Sequence, residues 1–109
     1  MKTYIFIVYK YYRMETKQLY KPFKSNRTPY KYSVYVKGEN GNPKLIHFGH
    51  REYSHYFDQI GEYKHLNHND KERRKSYLAR AKGIRDKDGN LTWKDKNTAN
   101  WWSVHKLWM

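Results

Sequence analysis

The sequence contains no cysteine, which excludes both a disulfide framework and thiolate metal ligands. It also lacks a long apolar run, since the N-terminal stretch at residues 4–9 is far shorter than the roughly 20 residues that cross a bilayer. No small-residue cleavage site of a signal peptide follows this stretch. These absences predict a protein without a membrane span that works inside a cell or inside a particle.

Acidic residues are scarce. Ten Asp and Glu stand against 23 Lys and Arg, which gives a net charge of +13 and a pI near 9.9. An imbalance of this size in 109 residues favours a polyanionic partner. Charge alone leaves three partners open: nucleic acid, an acidic protein surface and an anionic membrane surface.

Aliphatic residues are also few, because apolar residues make up 38% of the chain and 4 Phe, 4 Trp and 12 Tyr account for much of that share. Each large ring buries about 150–250 Å², so a core built from rings is expected. The tyrosine hydroxyls can also hydrogen-bond at a surface, which leaves contact surface as a second interpretation. A chain of this length predicts one small domain.

The most regular pattern lies in residues 31–49. Residues 31–37 alternate, placing Tyr32, Val34 and Val36 on one face of a strand. Residues 38–43 contain an Asn-Gly pair, which favours a hairpin turn, and residues 44–49 return as the second strand. This segment predicts a β-hairpin.

Residues 69–83 predict a helix with signals at both ends. Asn69 and Glu72 have the spacing of a capping box, and Gly83 can adopt the left-handed conformation that ends a helix. An apolar stripe is predicted from Tyr77, Leu78, Ala81 and Ile84. The rest of the helix surface is cationic.

The two ends of the chain complete the predicted fold. Residues 3–12 predict a strand that can extend the hairpin to three strands, and residues 13–30 predict a basic extended arm, with Met14 as a second possible start of translation. Residues 97–109 predict a helix capped by Asn97 or Thr98, whose tryptophans close the core. The fold class is therefore α+β, a small single domain in which a β-hairpin packs with a basic amphipathic helix and a Trp-rich C-terminal helix. Residues 1–29 form the N-terminal strand and arm, and residues 30–109 form the compact domain.

Six histidines raise the question of a metal site. His65 and His68 are three residues apart, and His47, His50 and His55 lie upstream. No cysteine accompanies them, and no His-x-x-x-His or His-Glu pair lies on a predicted helix. The sequence therefore predicts no metal site and no cofactor.

The hairpin supplies the one enzymatic alternative. Ser33-Val34-Tyr35 followed by His47-Phe48-Gly49 resembles the two-strand signature of the GIY-YIG endonucleases, with Arg51 in the place of their arginine. Ser33 replaces the first glycine of that motif, and no glutamate follows Glu72 to hold the metal. A metal-dependent endonuclease remains the alternative function.

Two interpretations apply to the helix cations. Arg73, Arg74 and Lys75 can form salt bridges with Asp70 and Glu72, or they can contact phosphates. Including the cations of the arm, we expect nine residues to bind nucleic acid or a protein partner: Lys71, Arg73, Arg74, Lys75, Arg80, Lys82, Lys21, Lys24 and Arg27.

Several motifs occur together in the second part of the chain: KYSVYVK, LIHFG, the run His68-Asn69-Asp70-Lys71-Glu72-Arg73-Arg74, then Tyr77, Arg80, Ala99, Trp102-Ser103 and Leu107-Trp108. Residues 30–109, which contain them, resemble a family of small basic proteins encoded by giant DNA viruses, with relatives in large tailed phages. Members of that family usually carry a histidine after the helix arginine, where this chain has Ala81.

The resemblance implies no enzymatic reaction, and the phage relatives look like virion or head-assembly components. We therefore expect a non-enzymatic virion-associated structural protein, either a minor capsid or a genome-associated component. Its expected location is the virion and, during assembly, the host cytoplasm or nucleus. Its expected partners are viral DNA or acidic capsid-protein surfaces, with other virion proteins contacted through the N-terminal arm. A module that binds a host protein is a third possible function.

Overall fold

A computed structural model describes residues 18–109 of the chain. These residues form an α+β fold, as predicted, with a three-stranded antiparallel sheet in the order β1-β2-β3. The elements are β1 (Phe23–Lys24), β2 (Tyr30–Lys37), β3 (Pro43–His50), α1 (Lys71–Ala81) and α2 (Ala99–Ser103). The second helix continues directly as a π-helix over Val104–Trp108, and 3₁₀ turns occupy Lys64–Leu66 and Thr92–Lys94. None of the described helices combines the length and the apolarity needed to cross a membrane.

The predicted hairpin is confirmed, with β2 one residue longer than predicted at its start and β3 one residue longer at each end. Tyr32 lies opposite Phe48 and Val34 lies opposite Ile46 in the register of β2 and β3. The turn is closed by the Gly38 amide, which donates to the Asn42 carbonyl at 2.8 Å. The alternating pattern of β2 predicts one buried face, and Tyr32, Val34 and Val36 on that face are each 0% exposed.

The third strand comes from an unexpected part of the chain. It is β1, whose Phe23 and Lys24 lie opposite Ser33 and Tyr32 of β2. The predicted N-terminal strand at residues 3–12 lies outside the described residues. The Tyr20 amide also donates to the Tyr35 carbonyl at 2.7 Å, so this part of the predicted arm belongs to the folded unit.

Both predicted end signals of α1 are wrong in detail. The N-cap is Asp70, whose Oδ1 accepts from the amides of Glu72 at 3.0 Å and Arg73 at 3.2 Å. An ionised carboxylate is a stronger acceptor than the Asn69 amide oxygen, which explains the shift by one residue. Gly83 has no positive φ, because a tight turn in which its amide donates to the Arg80 carbonyl follows the helix instead.

The C-terminal helical segment closes the core. Thr98 is the N-cap, and its Oγ1 accepts from the Trp101 amide at 3.3 Å. Trp102, Val104 and Leu107 are at most 1% exposed, and the Trp102 ring packs against Phe48 with centroids 5.9 Å apart. Trp101 and Trp108 are partly buried and pack against the same core, so the prediction that the tryptophans of this segment close the core is confirmed. Residues Val104–Trp108 form a π-helix, whose wider turn moves the most buried positions away from the 3.6-residue period.

Candidate nucleic-acid interface

The outer face of α1 carries four exposed cations: Lys71, Arg73, Lys75 and Arg80. The inner side is formed by Arg74, Tyr77, Leu78 and Ala81, which are partly or fully buried. Ile84 is 50% exposed, so the predicted apolar stripe does not reach it, because the helix ends at Ala81. The helix therefore presents positive charge to solvent along its length.

The two central arginines of α1 bind neutral acceptors. Arg73 Nη2 donates to Ser54 Oγ at 3.1 Å, and Arg74 Nε donates to the Trp108 carbonyl at 3.1 Å. The Arg74 guanidinium also lies 5.0 Å from the centre of the Tyr56 ring. Neither bond neutralises the charge of its arginine. Because Arg74 is partly buried and ties α1 to the C-terminal segment, we assign it a packing role alongside its charge.

Lys82 differs from the exposed helix cations. Its side chain is partly buried, and its Nζ lies 4.8 Å from the centre of the Trp93 ring. A cation over an indole face is held by the ring quadrupole. Lys82 therefore contributes to packing at the end of α1, where a positive charge also complements the helix dipole.

The arm cations lie on a different element. Lys21, Lys24 and Arg27 are exposed on β1 and its flanking segments. Lys24 Nζ is 5.6 Å from the Tyr63 ring centre, and Arg27 lies close enough to His47 to help lower the pKa of that imidazole, an effect due first to burial. The predicted cations thus fall into two groups, one on α1 and one beside the sheet.

An open groove with a volume of about 410 Å³ lies between β3, residues 53–54, α1 and the C-terminal helical segment. Three stacked ring pairs line it: Tyr30 with His47, His50 with Tyr53, and Tyr77 with Trp108, at centroid distances of 5.1, 4.4 and 4.1 Å. Ser54 and Trp108, which are bonded to the α1 arginines, are also lining residues. The stacked rings that line the groove therefore lie beside the arginines of α1.

A buried chain of hydrogen bonds begins at Lys31, which is one of the residues that line the groove. Lys31 is 1% exposed, and its ammonium donates to the Tyr53 carbonyl at 2.7 Å and to His55 Nδ1 at 2.8 Å. Asn67 Oδ1 accepts from the Asp58 amide at 2.7 Å and lies 2.8 Å from His55 Nε2. His55 Nε2 therefore carries the proton, and Nδ1 is free to accept from Lys31. Burial lowers the pKa of Lys31 to about 8, and the Asp58 charge opposes this shift.

Acidification is expected to destabilise this domain. Burial lowers the pKa of His55, His47 and His68, and the Lys31 ammonium lowers that of His55 further. Below a pH of about 6.5 the unfolded chain therefore binds protons that the folded state does not. The free energy of unfolding consequently decreases as the pH is lowered. We expect urea denaturation to give a lower free energy of unfolding at pH 5 than at pH 7.

The matched control is His65→Gln, because His65 is exposed. This variant should keep the wild-type pH dependence, whereas His55→Gln should weaken it. Equal stability of the wild type at the two pH values would contradict the buried neutral imidazole.

Asp58 forms the second buried polar centre. Its carboxylate is 0% exposed and accepts from the Tyr32 hydroxyl at 2.5 Å, the Tyr63 amide at 2.7 Å and the Ile60 amide at 2.9 Å. Burial opposes ionisation, but these bonds and one from the Gly61 amide hold the pKa of Asp58 below its usual value. Burial, together with the hydrogen bond to Asp58, raises the pKa of the Tyr32 hydroxyl. Asp58 thus anchors the 58–63 loop to the sheet.

The residues of the nuclease-like motif have structural partners. Ser33 Oγ lies 2.6 Å from His47 Nδ1 and 2.8 Å from Ser25 Oγ, and all three link β1 to the hairpin. Arg51 donates through Nε to the Tyr30 carbonyl at 2.8 Å and through Nη2 to the Ser25 carbonyl at 2.7 Å. Gly49 has a φ of +74°, and a Cβ there would lie 3.0 Å from Leu107. Packing therefore accounts for each of these residues.

The histidines are spread over separate contacts. Among residues 18–109, no three or more His, Asp or Glu side chains come together as a possible metal site. His68 Nδ1 accepts from the Asp70 amide at 2.9 Å, while its buried Nε2 has no hydrogen-bond partner in the described structure. The His68 ring lies 5.2 Å from Trp108 and 6.2 Å from Tyr56, which places it inside an aromatic cluster.

Sequence reasoning missed the groove and the buried polar residues beneath it. Lys31, His55, Asp58 and Asn67 have polar side chains in segments without a clear period, so no local pattern marks them as buried. Tyr30, Tyr53, Tyr77 and Trp108 are far apart in sequence and meet only in the folded chain. A buried lysine also contradicts the usual preference of that residue for the surface.

Comparison with known proteins adds no relative, because no family model, curated protein or solved structure matches this chain.

Proposed function

We propose that this protein is a non-enzymatic nucleic-acid-binding component of a large-virus particle. The proposal rests on the uncompensated positive charge of α1. Lys71, Arg73 and Lys75 are exposed, and the Arg73 guanidinium binds a serine hydroxyl instead of a carboxylate. Asp70 uses its side chain to cap the helix, and Glu72, the one acid within α1, stands against four exposed cations. The cations therefore remain available to phosphates, which they bind with little dependence on sequence.

The charge of the described residues supports a polyanionic partner. Residues 1–17 contain four of the 23 Lys and Arg and one of the ten Asp and Glu, so residues 18–109 hold 19 basic and nine acidic residues and a net charge of +10. A field of this sign attracts a polyanion at long range and loses strength as salt increases. Nucleic acid presents the densest regular array of negative charge that such a surface can meet.

The location in a particle follows from the resemblance of residues 30–109 to proteins of giant DNA viruses. A small basic protein enclosed with a genome neutralises phosphates without a chemical reaction. The exposed cations of α1 are suited to this role. Acidic capsid-protein surfaces would be bound by the same cations. Binding experiments on purified DNA separate that possibility from the one proposed.

Mass spectrometry of purified, nuclease-treated particles tests the location. We expect many copies of the chain in every particle, and we expect that disrupting the particles at low salt leaves the protein bound to the released genome. Absence from the particles would contradict the proposed location. Release with the shell and not with the genome would contradict nucleic acid as the partner.

A further inference from the structure

We propose that the groove beside α1 binds unpaired bases of a single-stranded nucleic acid, with the α1 cations on the adjacent phosphates. This inference rests on the proposed function and specifies its ligand. It is carried by three features of the groove: exposed ring faces, cations on both sides and a volume suited to a small planar group.

Exposed rings form the walls of the groove. Tyr53 is 65% exposed and Tyr30 is 36% exposed, although both are large apolar side chains. Each ring stacks on a histidine, Tyr53 on His50 and Tyr30 on His47, which fixes its orientation. Rings held in place with open faces are the platforms on which unpaired bases stack.

A third stacked ring pair lies on the α1 side of the groove. The rings of Tyr77 and Trp108 stack with centroids 4.1 Å apart and an angle of only 7° between their planes. Tyr77 belongs to α1 and Trp108 to the C-terminal segment, so this wall joins the two elements. Aromatic residues therefore line the groove on the α1 side as well as on the sheet side.

Cations stand on both sides of the rings. On the α1 side, Arg73 bonds to Ser54 and Arg74 bonds to the Trp108 carbonyl, and both acceptors belong to lining residues. On the sheet side, the exposed Arg27 adjoins the lining residue Tyr30, whose amide donates to the Arg27 carbonyl at 2.9 Å. A strand whose base enters the groove would therefore pass its phosphates between two groups of positive charge.

The size of the groove distinguishes single strands from duplexes. Its volume of about 410 Å³ falls within the range of roughly 300–1,000 Å³ that is typical of small-molecule sites. That space admits a splayed base but not a duplex, whose bases remain stacked on one another. Because every base has a ring face, little sequence preference is expected.

The test compares the affinities of full-length variants for labelled oligothymidylate and for a duplex of equal length, by fluorescence anisotropy. Tyr53→Leu and Tyr30→Leu should each weaken binding of the single strand by about tenfold, the effect of losing one stacked base. Binding of the duplex should stay unchanged. Phe57→Leu is the matched control, because Phe57 is 40% exposed and lies outside the groove.

The outcomes separate the two proposals. If both groove variants bind oligothymidylate as tightly as Phe57→Leu does, the groove is not a base site. If the wild type binds the duplex but not the single strand, the groove inference is overturned and nucleic-acid binding stands. If the wild type binds neither polymer, both proposals are overturned. Circular dichroism and the thermal midpoint of each variant confirm that the domain remains folded.

Discussion

Replacing Asp58 with alanine is expected to destabilise the domain by about 3–5 kcal/mol. The substitution removes the acceptor for the Tyr32 hydroxyl and for the amides of Ile60, Gly61 and Tyr63, all at a position with no solvent exposure. Each buried donor left without an acceptor costs about 1–3 kcal/mol. Since small domains have about 5–15 kcal/mol of stability in total, this single change should bring the chain close to unfolding.

Denaturant unfolding of Asp58→Ala measures this loss. The denaturation midpoint of Asp58→Asn should lie between those of Asp58→Ala and the wild type, because asparagine keeps one acceptor oxygen but lacks the charge. Asp88→Ala is the matched control, since Asp88 is exposed and its loss changes the net charge equally. Equal midpoints for Asp58→Ala and Asp88→Ala would contradict the role of Asp58 as the anchor of the loop.

Reversing the charge of three exposed α1 residues is expected to remove most of the affinity for DNA. If these residues contact phosphates as proposed, the Lys71→Glu/Arg73→Glu/Lys75→Glu variant loses three contacts. The slope of log affinity against log salt should therefore decrease in magnitude by about 3. Arg74 is left unchanged because it bonds to Trp108 and packs on Tyr56. The helix should persist, since added acids near its N-terminus complement its dipole.

A second triple variant tests whether the loss of DNA affinity depends on where the charges are reversed or only on the change in net charge. Lys37→Glu/Lys44→Glu/Lys87→Glu changes the net charge equally at exposed positions outside α1. This control should keep most of the wild-type slope, with a smaller general loss of affinity. Identical binding curves for the two variants would contradict α1 as the contact surface.

The sequence predicted the elements that have a strong local period. The alternation of Tyr32, Val34 and Val36 indicated a strand with one buried face, and the structure buries all three. The helix at α1 was predicted from its stripe and its caps, but its ends were not. Asn69 and Asp70 are both good N-cap residues, and only the folded chain shows that Asp70 accepts the two amides.

The features that sequence could not predict depend on contacts between distant segments. Strand β1 has only two residues, so it is too short to show a period. The inner face of the C-terminal segment follows a π-helix, which has no recognised sequence signal here. The groove requires Tyr30, Tyr53, Tyr77 and Trp108 to meet, and nothing in their spacing indicates it.

Binding of the full-length wild-type protein to a labelled DNA duplex, followed by anisotropy from about 50 to 200 mM salt, tests nucleic-acid binding most directly. If the exposed cations contact phosphates, log affinity should fall linearly with log salt, with a slope of about −0.9 for each phosphate contacted. No binding to the duplex or to a single strand of equal length at the lowest salt concentration, or an affinity that does not change with salt, would contradict the proposed function.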